Sequence, residues 1–269
     1  MTRLTIIFLT LILIFSPGLQ AKERKTVAVI GTGDMGDSLG PKFAALGYRV
    51  IYGSRKPESE KVQSLVAMTG HGASATTQKE AARQGEIVLT LVPWPPMEHV
   101  AQNLGDLTGK IIIDVSMPFK QGEDGYPELM LETSSAEMIQ GWNPGASVVK
   151  AFATLGSQVI DDPSVEGGPV SVPIASDHPE AKIKVARIIA EMGLDPIDFG
   201  PLRMSRYIET MQMIYMIPLV QERHSSWEFY FRRSNYWKCE WGDGLYDPIY
   251  DKGKLADFPK TQGENKPCP

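Results

Sequence analysis

Cysteine is scarce: 269 residues hold only Cys239 and Cys268, both within the last thirty-one. So few exclude a disulfide-stapled scaffold, although in an oxidising compartment the two can pair, closing a loop worth about 3–4 kcal/mol in the chain-entropy model. Two separate thiols in a loose tail is the other reading. Histidine is nearly as rare, at four residues, and neither H-E-x-x-H nor paired C-x-x-C occurs, so no metal pattern rises out of the sequence. An excess of positive charge is also missing. The formal charge of −5 leaves no basic footprint, and nucleic acid is not an expected partner. Internal repeats and low-complexity runs are absent by eye. What remains is ordinary globular composition, 42% hydrophobic and 22% charged, on a chain long enough for one large domain or a domain with an appendage.

One long apolar run stands at the amino end. Arg3 precedes Leu4 to Phe15, then come Ser16, Pro17 and Gly18, and then Leu19, Gln20 and Ala21. A basic end, a short apolar run and a small exit residue are the marks of a secretory signal, with cleavage expected after Ala21 and residues 1–21 removed. The chain is then exported, to a periplasmic or extracellular space. No twin arginine occurs, which points to export of an unfolded chain. The alternative is an uncleaved membrane anchor: residues 4–21 carry no charge, and Lys22, Arg24 and Lys25 follow, which would leave the domain in the cytosol. Membrane association is expected only in that second case.

From residue 25 the pattern is one of buried strands and amphipathic helices. Thr26 to Ile30, Arg49 to Tyr52, Ile87 to Val92, Ile111 to Val115, Ser147 to Ala151 and Val170 to Ala175 read as strands, with a weaker one near Ala73. Met35, Leu39, Phe43 and Leu46 repeat at helical spacing until Gly47. Further helices are expected over Ser59 to Met68, Glu98 to Leu104, Thr133 to Ile139 and Pro179 to Met192, the last with proline in its first turn. Strand–helix alternation at this rhythm implies an α/β fold, a Rossmann-type doubly wound parallel sheet, over 25–200. Residues 201–269 differ. Met204 to Leu219 reads as one methionine-rich helical stretch, and nine aromatics fall between Trp227 and Tyr250. This part reads as an irregular aromatic-rich C-terminal arm that packs on the domain or on a partner. With the 204–219 helix it is the expected surface of a homodimer.

The chemistry is concentrated at the first turn. Gly31, Thr32, Gly33, Asp34, Met35 and Gly36 match G-x-G-x-x-G between a buried strand and an amphipathic helix, the context that makes the motif specific. Gly31 makes the tight turn, Gly33 admits the pyrophosphate, Gly36 lets helix and strand approach, and the helix N-terminus faces the phosphates. Asp34 and Asp37 suit the positive end of that helix. At the end of the second strand an NAD enzyme carries a carboxylate for the ribose 2′-hydroxyl. Here stand Gly53, Ser54, Arg55 and Lys56. A hydroxyl and a guanidinium welcome a 2′-phosphate, so the expected cofactor is NADP(H).

The combination Gly31-Thr32-Gly33-Asp34-Met35-Gly36, Tyr52-Gly53-Ser54-Arg55, Val92-Pro93-Trp94, Ser135-Ala136-Glu137, Val149-Lys150-Ala151-Phe152 and Gly200-Pro201-Leu202-Arg203-Met204-Ser205-Arg206 resembles the coenzyme F420-dependent NADP oxidoreductases. It also resembles the reductase module of six-span transmembrane metalloreductases. The resemblance runs from Lys25 to Tyr215, roughly 70% of the chain. It implies hydride transfer between NADPH and a flavin or deazaflavin (F420) ring as second substrate, or another small-molecule acceptor. It also implies that Val92, Pro93 and Trp94 line the nicotinamide pocket, with Ser116, Met117, Pro118 and Ala151 to Ala153 nearby. Such a transfer needs positioning more than an acid–base pair, so no catalytic side chain is expected and Trp94, Met117 and Pro118 stand as pocket residues. Trp94 also has the make-up of a lid packed on its own loop.

Departures cluster around the second-substrate pocket. Many members have Asn where Ala153 stands and Asn-Pro where Met117-Pro118 stands, and Pro95, Pro96 and Met97 lengthen the loop after Trp94. His99 is a proton-donor candidate or a packing residue. Glu209 matches a glutamate common in the family and is expected to hold its helix on the domain. The aromatic arm, with Arg232 and Arg233, is either a packing surface or a stacking platform for a flavin or quinone-like ring. Two alternatives to a flavin-type reductase follow: an NADP-binding sensor or scaffold without turnover, and a β-hydroxyacid or imine reductase. The latter need a helical second domain that the tail does not resemble.

Overall fold

The computed structural model describes residues 24–224 and 227–232. The apolar amino-terminal run, most of the aromatic arm, Arg233 and both cysteines lie outside the described residues. In chain order the elements are β1 (Thr26–Ile30), α1 (Asp34–Ala45), β2 (Arg49–Gly53), α2 (Glu60–Thr69), β3 (Ser74–Thr76), α3 (Gln78–Gln84), β4 (Ile87–Thr90), α4 (Met97–Asn103), β5 (Ile111–Asp114), β6 (Phe119–Gln121), β7 (Pro127–Leu129), α5 (Ser135–Trp142), β8 (Ser147–Lys150), α6 (Ser157–Asp161), β9 (Ser171–Ile174), α7 (Pro179–Glu191), β10 (Asp195–Asp198), α8 (Ser205–Tyr215) and α9 (Ile217–Gln221).

Six parallel strands form the central sheet in the order β3-β2-β1-β4-β5-β8, the Rossmann arrangement expected from the alternation of elements. The apolar runs are continuous because both faces are covered. Along β1 the residues alternate. Val27 and Val29 join Leu39 and Phe43 of α1, Ile160 of α6 and Val185 of α7, whereas Ala28 and Ile30 join Ala81 and Ala82 of α3, Met97 of α4 and Ile139 of α5. Two backbone hydrogen bonds between Lys150 and Ala175, 2.9 and 3.2 Å, attach the parallel β9–β10 pair to the end of β8.

Several elements depart from the expected ones. The helix expected from Thr133 starts at Ser135, because Ser134 takes the N-cap and accepts from the Glu137 N–H. The stretch expected as one helix from Met204 to Leu219 is two, α8 and α9, broken at Met216. Pro218 has no N–H for the Ile214 carbonyl, and its ring crowds that turn. The short hairpin of β6 and β7, the helices α3 and α6 and the edge strand β10 had no clear periodicity in the sequence. The described part of the arm packs on the domain. Ser171 N–H donates to Phe229 O at 2.7 Å, Phe231 N–H donates to Ser171 Oγ at 2.9 Å, and the Phe231 ring lies edge-on to Phe199 at 5.5 Å. Among the described residues no helix is long and apolar enough to cross a membrane, and no group of three or more metal-ligating side chains is assembled.

Candidate functional site

Between β1 and β4 the strand order reverses, so the turns that follow them leave the sheet in opposite directions and open a crevice at its carboxyl edge. Ligands of open α/β sheets settle at such switch points. The three glycines of the first turn divide their labour there. Gly31 has φ +128°, and a Cβ on it would lie 2.7 Å from Leu91 O. A Cβ on Gly36 would collide with Gly31 O. Both are therefore required by the fold. Gly33 is not: its φ is −102°, open to any residue, and a Cβ there would meet no protein atom within 4 Å. The space beside its backbone is open, so a bulky group can approach the amides that follow it.

Gly33 is also the N-cap of α1, and no side chain caps it. By contrast, Thr77 and Ser134 cap α3 and α5. The first intrahelical bond runs from Asp37 N–H to Gly33 O, 2.9 Å, so the amides of Asp34, Met35 and Gly36 precede it and carry the positive end of the helix dipole. Asp34 and Asp37 occupy this first turn. Burial, with Asp34 and Asp161 adding, raises the Asp37 carboxyl against the pull of Lys61.

At the end of β2, Ser54 N–H donates to Thr76 O and Ser54 Oγ accepts from Lys56 N–H at 3.1 Å, which shapes the turn. Arg55 is exposed, and among the described residues no carboxylate pairs with it. A free guanidinium beside a hydroxyl fits a 2′-phosphate.

Across the switch point lies a cavity of about 380 Å³, lined by Met35, Leu91, Val92, Pro93, Trp94, Pro95, Val115, Ser116, Met117 and Phe119. It is mostly apolar and within the size range of small-ligand sites. Of the residues expected here, Val92, Pro93, Trp94 and Met117 lie on its wall. Pro118 is not among them, and Ala151 is fully buried behind. Trp94 lines the cavity and stacks not on its own loop but on Trp142 of α5, with centroids 5.9 Å apart. His99 is exposed on α4 and engages Asn103 rather than the cavity.

Behind Ser116 stands a group that sequence reasoning did not assemble. Lys150, at the end of β8, is 0% exposed, and its Nζ lies 3.0 Å from Asp114 Oδ2, 3.1 Å from Glu209 Oε1, 2.8 Å from Ser135 Oγ and 2.5 Å from Ser116 O. Glu209 accepts from Ser135 N–H at 2.9 Å, so it does hold α8 on the domain, as expected. Burial would pull the Lys150 ammonium down, but Asp114 and Glu209 together outweigh it and raise it instead. Burial raises the Glu209 carboxyl despite Lys150. The signal in the sequence was a charged residue ending an otherwise apolar strand, twice: Asp114 after Ile113 and Lys150 after Val149. The motif residues Glu137 and Arg206 form a separate surface clamp between α5 and α8, 2.7 and 2.8 Å, that holds the Glu137 carboxyl down at about 2.

Residues 26–118, from β1 to the turn after β5, match the family model described as NADP oxidoreductase, coenzyme F420-dependent. The F420-dependent NADP reductase of Methanothermobacter thermautotrophicus is 30% identical over 205 residues, 71% of this chain and 87% of that protein. The metalloreductase STEAP3 of Rattus norvegicus is 29% identical over 192 residues, 71% of this chain. The chain spans only 37% of the length of that metalloreductase. Among solved structures, a putative F420-dependent NADP reductase from Arthrobacter sp. FB24 superposes with a TM-score of 0.70 at 26% identity, covering 77% of this chain and 99% of that one. A reductive aminase from Aspergillus terreus shares the fold alone, at 15% identity and a TM-score of 0.55.

Proposed function

This chain belongs to the coenzyme F420-dependent NADP oxidoreductase family, and we propose that it is an NADP-dependent reductase passing hydride from NADPH to a flavin-like ring, flavin or deazaflavin. The observation that carries the reading is the unfilled space at Gly33 beside an uncapped helix N-terminus, on the same sheet edge as an apolar cavity. When bound, NADPH supplies the hydride.

The chain's own residues do the rest. The amides that open α1 hold the diphosphate, because orphan N–H groups and the dipole end favour negative charge. Ser54 and Arg55 select the 2′-phosphate, the guanidinium by a planar two-bond fork. The wall from Leu91 to Trp94 keeps water from the reacting face, and its apolar surface suits a flat ring stacked on the nicotinamide. Trp94 is held in place by Trp142, so this wall is set before a ligand arrives. Pre-set positioning is the main source of rate in a direct hydride transfer.

Stopped-flow oxidation of NADPH by riboflavin, FMN, a deazaflavin and a quinone tests the proposal. Rapid oxidation by one of the flavin-type rings is expected. Tight NADPH binding with no oxidation by any of them would refute it and leave a nucleotide-binding sensor.

A further inference from the structure

The buried group behind Ser116 does more than clamp helices. An unbroken row of short contacts leads from it to the cavity: Glu209 Oε1 to Ser135 Oγ at 2.6 Å, Ser135 Oγ to Asp114 Oδ2 at 2.7 Å, and Asp114 Oδ1 to Ser116 Oγ at 2.5 Å. Ser116 is one of the residues on the cavity wall. Resting on the reductase reading above, we propose that Glu209, Ser135, Asp114 and Ser116 form a proton relay that delivers to the acceptor the proton accompanying the hydride.

Charge accounting at this node supports a stored proton. The charged groups that meet there are Asp114 from β5, Lys150 from β8 and Glu209 from α8, joined by the hydroxyls of Ser116, Ser135 from α5 and Thr90 from β4. None is more than 4% exposed. With both carboxyls ionised, one ammonium leaves the node with a net negative charge and no solvent, which is strongly disfavoured. One proton on the carboxyl pair makes it neutral. Burial acts on Glu209 in that direction, and Lys150 keeps its own proton because two carboxyls face it. The proton belongs to the pair rather than to either residue.

The step balances. Two-electron reduction of a flavin-type ring takes a hydride and a proton. The hydride's electron pair comes from the nicotinamide of NADPH. The proton comes from Ser116: its O–H bond breaks as an N–H bond forms on the acceptor. Glu209 passes its proton through Ser135 to Asp114 Oδ2, the Asp114 carboxyl turns to present that proton to Ser116, and Ser116 takes it up as its own proton leaves. One proton leaves Glu209 in all, and is regained from water through the open cavity between turnovers. Lys150 is a positioning residue here. Its bond to Ser116 O fixes the turn that carries the hydroxyl, and its charge tolerates the carboxylate left behind.

Two measurements test the relay. The first needs no turnover. Infrared difference spectra of wild-type protein against Glu209→Gln at neutral pH, without nucleotide, are expected to show a protonated-carboxyl band that shifts in heavy water and is missing from the variant. The second compares Ser116→Ala with Ser116→Thr, which keeps the hydroxyl. NADPH affinity is measured in both, so that a change in binding is told apart from a change in proton delivery. With flavin as acceptor, kcat is expected to fall about 10²-fold in the alanine variant, the usual loss of a general acid, with a changed pH profile. The threonine variant is expected to keep most of the rate. A group that only clamps helices would not separate these two variants. Absence of the infrared band, or wild-type kcat and pH profile in Ser116→Ala, overturns the relay while the reductase reading stands. Wild-type protein that binds NADPH but reduces no acceptor overturns both.

Discussion

Two alanine substitutions within one six-residue turn are expected to have opposite consequences. Gly33→Ala places a methyl group where no protein atom lies within 4 Å, on a backbone already in an ordinary extended conformation. Removing a glycine makes the unfolded chain less free, stabilising the fold by about 0.4–1 kcal/mol. Alanine is a poorer N-cap than glycine, which costs roughly 0.5–1 kcal/mol. The two nearly cancel, and at about 2–4 °C per kcal/mol for a domain of this size the melting temperature should move by no more than a few degrees. The methyl does stand in the way of the diphosphate. Losing one charge-assisted backbone hydrogen bond, about 1.5–3 kcal/mol, lowers NADPH affinity about 10- to 100-fold. Gly31→Ala inverts this pattern. Its φ of +128° costs an L-residue about 1–3 kcal/mol, and the methyl would sit 2.7 Å from Leu91 O. Thermal melts combined with NADPH fluorescence titration separate the two effects. Full NADPH affinity in Gly33→Ala, or a melting loss matching that of Gly31→Ala, would refute the assignment of Gly33 as a ligand cradle.

Arg55→Ala is expected to weaken NADPH binding about 10- to 100-fold while leaving NADH affinity unchanged, since the lost charged hydrogen bonds go only to the 2′-phosphate. Parallel titrations check it, and equal loss for both coenzymes would count against the role. Lys150→Met leaves Asp114 and Glu209 buried without their cation, and a loss of about 3–5 kcal/mol is expected by denaturant unfolding. Adding Glu209→Gln to it should recover part of that loss; if it does not, the two residues are not coupled. Glu228, which accepts from the Tyr215 hydroxyl at 2.9 Å, has its pKa raised by burial to about 7. A carboxyl raised in the folded state binds its proton more tightly there, so this contribution is present below about pH 4.5 and is lost as pH rises through about 7. Glu228→Gln is therefore expected to melt higher than wild type at pH 8 and equally at about pH 4.

The layered fold was legible because a strand covered on both faces must be apolar throughout. Runs such as Thr26 to Ile30 and Ile111 to Ile113 permit little else. The short hairpin at 119–129 was not legible, since three-residue strands half exposed to solvent carry no periodicity. Pro218 was visible in the sequence and breaks the helix at Met216, but the residues on both sides of it are helical, so the stretch read as one helix.

By itself the sequence determined the glycine turn between strand and helix and pointed to a phosphorylated ribose, because those rest on residues adjacent in the chain: glycines after a strand, and a guanidinium where a carboxylate could stand. Only the tertiary structure showed which of these glycines the packing requires: a Cβ on Gly31 would meet Leu91 O in the turn after β4, one on Gly36 would meet Gly31 O across the turn, and one on Gly33 would meet open space. It alone joined Asp114, Ser135, Lys150 and Glu209. Four elements deliver one polar residue each to a single buried point, and a stored proton is a property of that point rather than of any stretch of chain.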